Sequence, residues 1–118
     1  MNSRRLMQTW IIGGALLALM AMVPLSYADE VATEVPSALW AEPRSAGVVA
    51  AEPAIADVVA AWSAQPRRVI VVRHGPGETG ELRAGELRGW LVALGVPSDA
   101  IDVRMSEDVG DRLRLQVR

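Results

Sequence analysis

The chain has 118 residues, 51% of them hydrophobic, with 14 acidic residues, 12 arginines, no lysine, one histidine and no cysteine. A net charge of −2 and scattered arginines exclude the concentrated basic face that nucleic-acid binding requires. The lack of cysteine excludes a disulfide framework, a thiolate nucleophile and a cysteine for lipid attachment.

Arg4 and Arg5 precede Ile11–Val23, an uncharged apolar run of 13 residues that Pro24 ends. Ser26-Tyr27-Ala28 puts small residues at both ends of the next tripeptide, so residues 1–28 read as a secretory signal peptide cleaved after Ala28. The alternative is an uncleaved anchor. A span takes ~20 apolar residues, and extending the run back to Leu6 brings in Gln8 and Thr9. The expected mature chain is therefore periplasmic, without a membrane span, with 90 residues and a net charge of −4 once Arg4 and Arg5 are lost.

Residues 29–43 carry Pro36 and Pro43 and no clean period, which reads as a flexible leader before a domain over 44–118. Arg44–Ala51 is a weak strand candidate around Val48 and Val49. Glu52-Pro53 opens a helix, because proline suits the first turn. Ile55, Val58, Val59 and Trp62 recur at i, i+3, i+4 and i+7, one face of that helix, and Gln65-Pro66 ends it. Val69–Val72 is a run of four β-favouring residues, suited to an interior strand covered on both faces.

The loop Arg73–Gly80 follows, and a second helix is expected from about Glu81 to Leu94. Its stripe is Leu87, Trp90, Leu91 and Leu94, with Gly95 as the stop and Pro97 beyond it. Gly85 and Gly89 inside it line one stripe, which would let it approach the sheet closely. Ile101–Met105 and Leu113–Val117 alternate apolar and polar residues, two half-buried strands expected to form an antiparallel hairpin. The fold class is α/β, an α+β two-layer sandwich: β-α-β-α-β-β, a mixed sheet with both helices on one face.

Two resemblances bear on function, one short and one long. Val72-Arg73-His74-Gly75 is similar to the motif that opens the histidine phosphatase family. That resemblance implies an enzyme with His74 as the phosphorylated nucleophile and Arg73 as the anion clamp. The family uses a second histidine; this chain has one, and 43 residues follow Gly75.

A longer resemblance runs from Ile55 to the C-terminus. The first helix, Gln65-Pro66 and the strand Val69–Val72 resemble the OmpA C-terminal-like domain, a peptidoglycan-associated module of bacterial envelopes. Arg83-Ala84 falls at that family's R-A position, Leu91–Pro97 fits the close of its second helix, and Asp111–Val117 resembles its last strand. The family holds meso-diaminopimelate with an aspartate from its G-H-T-D motif and with the arginine of R-A. The resemblance therefore implies Arg83 as a ligand for a stem-peptide carboxylate. Pro76 stands where the aspartate would be, so the ammonium partner is missing. His74 and Glu78 are expected on the rim of such a site.

His74 lacks a second histidine or cysteine to complete a metal sphere, so neither a metal nor another cofactor is expected. Trp62 and Trp90 read as core, whereas Trp40 in the leader is a candidate for docking on the domain or on a partner. Arg112, Arg114 and Arg118 share one face of the last strand, read as its solvated side and a candidate contact for an acidic partner. The expected function is a non-enzymatic envelope protein that binds peptidoglycan weakly or serves as a protein-interaction module. The alternatives are a phosphatase-like enzyme and a subunit of a larger envelope assembly, and no oligomeric state can be read.

Overall fold

Four strands form one sheet in a computed structural model that describes residues 31–118. The expected signal peptide lies outside the described residues. In chain order the elements are β1 (Val31–Val35), α1 (Ala46–Ala51), α2 (Pro53–Ala64), β2 (Ile70–His74), α3 (Glu78–Ala93), β3 (Ile101–Met105) and β4 (Leu113–Val117). Short 3₁₀ turns lie at Ser37–Trp40, Ser98–Ala100 and Glu107–Val109. The sheet order is β1-β4-β2-β3, with β2 parallel to β3 and β4 antiparallel to both β1 and β2. This is the α+β two-layer sandwich with a mixed sheet that the sequence implies.

The pleat decides which residues the helices cover. Ile70 and Val72 of β2, Leu113, Leu115 and Val117 of β4, and Val35 of β1 are all 1% exposed or less. They pack with Ile55 and Val58 of α2 and with Leu87 and Leu91 of α3. Full burial of each such side chain contributes about 1.5–3 kcal/mol. The opposite pleat carries Glu34, Arg73, Asp102, Arg104 and Arg114, and forms the open face of the sheet. Val71 also lies on that pleat and is nevertheless buried, as expected for an interior strand.

Local chemistry explains the boundaries. Glu52 caps α2 by accepting from the Ala54 N–H, with Pro53 in the first turn. Trp62 closes the far end, donating its Nε1–H to the Arg68 carbonyl at 3.1 Å. Gly95 takes φ 105° just beyond α3, the left-handed stop that ends many helices. Among the described residues no helix is long and apolar enough to cross a membrane.

Four expectations are corrected. Arg44–Ala51 is not a strand: the Ser45 side chain accepts from the Val48 N–H and starts α1, leaving Val49 buried and Val48 exposed. The first strand lies instead at Val31–Val35, within the stretch expected as a leader, where it pairs with β4 along all five of its residues. The 73–80 loop shrinks to Gly75–Gly77, because β2 runs on to His74 and α3 begins at Glu78. The last two strands are not a hairpin. The segment between them crosses the end of β2, with the Ser106 N–H donating to the His74 carbonyl at 2.8 Å, and delivers β4 to the other side of that strand.

Gly85 and Gly89 do not bring α3 close to the sheet: a Cβ built at either meets nothing within 4 Å. Both lie on the exposed side, so they carry the helical cost of glycine, about 1 kcal/mol each against alanine, with no packing in return. Gly85→Ala and Gly89→Ala together should stabilise the domain by about 1–2 kcal/mol in urea melts. An unchanged midpoint would mean that α3 is packed differently.

Candidate functional site

Arg83 sits on the flank of α3, between the sheet-facing Ala84 and Leu87 and the exposed Leu82. The segment from Trp40 to Arg44 runs along that flank. Arg44 fastens it there, meeting Glu86 as a two-pronged ion pair through its Nε and Nη2. Its Nη1 donates to the carbonyls of Trp40 (3.3 Å) and Glu42 (2.9 Å). The Arg44 hydrogen bonds hold the Glu86 carboxyl below its usual range, with a smaller contribution from the Trp90 indole N–H. Both partners are partly exposed, so the pair adds little stability and acts chiefly to fix geometry.

The Trp40 ring is packed against the core and carries two guanidinium groups. Arg44 lies 5.1 Å and Arg83 6.0 Å from its centroid, both within cation–π range. These groups, with Thr79 and Leu82, line an open depression of about 260 Å³. Arg44 spends its donors on Glu86 and on backbone, whereas Arg83 has no ion-pair partner among the described residues. The depression thus offers one guanidinium fork beside an aromatic face and an exposed leucine. That combination suits a carboxylate attached to an apolar stem.

The three site residues expected from the sequence do not converge. Arg83 faces the depression. His74 ends β2 on the helix-covered pleat, 9% exposed, with Nδ1 2.9 Å from the Gly75 carbonyl. A carbonyl can only accept, so this nitrogen carries the proton. Glu78 is exposed in the first turn of α3, where a carboxylate suits the helix dipole, and it does not line the depression. Neither of the two expected rim residues is therefore on the rim.

The Arg73-His74-Gly75 arrangement divides in the same way. Successive strand residues point to opposite faces. His74 goes to the covered face and Arg73 to the open one, so the guanidinium is not placed as a clamp over the imidazole.

A larger groove of about 530 Å³ lies beside β1 and the start of α2, lined by Glu34, Glu52, Asp57 and Arg112 among others. Two of its carboxylates are already engaged: Glu34 with Arg112 and Arg114, and Glu52 with the α2 cap. Among the described residues no cluster of three or more His, Asp or Glu side chains is placed to hold a metal ion.

Sequence reasoning identified Arg83 and the oddity of Trp40 but not the link between them. Arg44 and Glu86 are 42 positions apart, so no local pattern announces their pairing. No protein-family model matches this chain, and no curated protein matches it either.

Proposed function

We propose that this chain is a non-enzymatic binding module of the bacterial cell envelope, exported to the periplasm and related to the OmpA C-terminal-like domains. Its Arg83 depression takes the free carboxylate of a peptidoglycan stem peptide. The observation that carries this reading is a guanidinium with no ion-pair partner among the described residues, held over Trp40 beside an open depression, at the position where the resemblance expects a group that binds a carboxylate. Binding is weak on this reading. Pro76 replaces the acid for the ammonium group, and neither His74 nor Glu78 stands in for it. A phosphatase reading through Arg73-His74-Gly75 finds less support, because the two side chains lie on opposite faces of the sheet.

Retention of the full chain on purified peptidoglycan tests the proposal. Arg83→Ala should lower retention about tenfold, in keeping with the 1.5–3 kcal/mol of a hydrogen bond to a charged group. Arg83→Lys should recover part of it, since the charge returns without the fork. Equal retention of wild type and Arg83→Ala, with both folded by circular dichroism, would overturn the assignment.

A further inference from the structure

On the open face of the sheet, in-register pairing sets Arg104, Arg73 and Arg114 side by side across β3, β2 and β4. Like charges directly opposite one another destabilise a sheet. The two outer arginines are compensated. Arg104 holds Asp102 at 2.7 Å, and Arg114 reaches Asp108 at 3.3 Å and Glu34 at 3.6 Å. Arg73, at the centre with an arginine on each side, has no carboxylate partner among the described residues. It is half-buried rather than swung out into water. A local rule is broken here with no compensating ion pair among the described residues, and such places are where function is expected.

We infer that this arginine row is a docking surface for a partner protein presenting an acidic helix that lies across the strands. The spacing selects the helix. Neighbouring strands are ~4.8 Å apart, so the three arginines sit at about 0, 5 and 10 Å along the row. Carboxylates at i, i+3 or i+4, and i+7 of a helix advance about 4.5–6 and 10.5 Å along its axis, matching the row. Carboxylates at i, i+2 and i+4 of an extended strand advance about 6.7 and 13 Å and fall out of step by the third. The fit puts the middle carboxylate on Arg73, which has no carboxylate partner among the described residues, while the outer two share Arg104 with Asp102 and Arg114 with Asp108 and Glu34. The row lies on the face of the sheet opposite α3, so this surface is independent of the Arg83 depression, and the two proposals can fail separately.

The test measures binding of the full chain to a helical peptide carrying glutamates at i, i+4 and i+7. Its isomer with the same glutamates spread around the helix, and vesicles of phosphatidylcholine and phosphatidylglycerol, serve as comparisons. The striped peptide should bind about tenfold more tightly than the isomer, and binding should weaken as salt rises. Arg73→Gln should lower affinity for it about tenfold, whereas Arg67→Gln, exposed before β2 and off the row, should leave it unchanged. In low salt the same Arg73→Gln protein should melt above the wild-type temperature, because it relieves the like-charge contacts. That gain would separate a docking role from a structural one. Equal binding of the two peptides, binding to vesicles alone, or full affinity in Arg73→Gln would each overturn the inference.

Discussion

Val35→Asp is expected to leave most of the domain unfolded at room temperature, with its thermal transition lowered by more than 20 °C or lost. Val35 is fully buried, pairs with Leu113, and packs in the core cluster with Leu39. Losing the valine side chain from the core costs about 1.5–3 kcal/mol. Placing an unpartnered polar group there costs about 1–3 kcal/mol more. A domain this small has a net stability near the low end of about 5–15 kcal/mol, so the two losses consume most of it. The control lies three residues away on the same strand. Ala32 is exposed on the other pleat, opposite Gln116, and Ala32→Asp should change stability by no more than about 0.5 kcal/mol. Circular dichroism melts of the two variants decide the matter. Similar melting would mean that Val31–Val35 is not a strand in this register, and that the sheet ends at β4.

That contrast also shows where the sequence is hard to read. Val31, Thr33 and Val35 do alternate with Ala32 and Glu34, but five residues before Pro36 give too short a signal to stand alone. What makes them a strand is β4, some 80 positions later, and no local pattern carries that information. At Val48-Val49 the conflict is local. Two β-branched residues suggest a strand, yet the Ser45 cap and the need to bury a single valine favour one and a half turns of helix. By contrast β3 and β4 were legible to the residue, because strict alternation is a local property. So was α2, whose ends are marked by Glu52-Pro53 and by Gln65-Pro66.

Strand order is less legible still. A hairpin is the shortest connection between β3 and β4, but with β1 paired to β4 it would put β2, with its apolar Ile70–Val72 run, on the edge of the sheet. Setting β4 between β1 and β2 gives β2 a neighbour on each side. The candidate site divides along the same line. Arg83 is readable from a local motif, whereas Trp40, Arg44 and Glu86 meet it only through tertiary structure. The arginine row on the open face is of the same kind, since its members come from three strands.

Gly75→Ala should destabilise the domain by about 3 kcal/mol, at the upper end of the usual cost of overpacking, and lower the melting temperature by about 10–25 °C. The cause is contact, not backbone conformation, since Gly75 is not among the glycines with positive φ. A Cβ at Gly75 would lie 1.9 Å from the Gly110 carbonyl oxygen and 2.9 Å from its carbon. Both are backbone atoms, so no side chain can turn aside to make room. The crossing segment must move as a unit, which strains the Ser106-to-His74 hydrogen bond and the buried Val109 beside it. The start of α3 is close by as well, because a Cβ built at Gly80 would lie 2.9 Å from the Gly75 carbonyl oxygen. Gly47→Ala is the matched control: a Cβ there meets nothing within 4 Å, and in α1 the change should stabilise slightly. If Gly75→Ala melts with wild type, the crossing segment does not rest on the end of β2. The route that carries β4 past β2, and with it the alignment of Arg114 beside Arg73, would then be wrong.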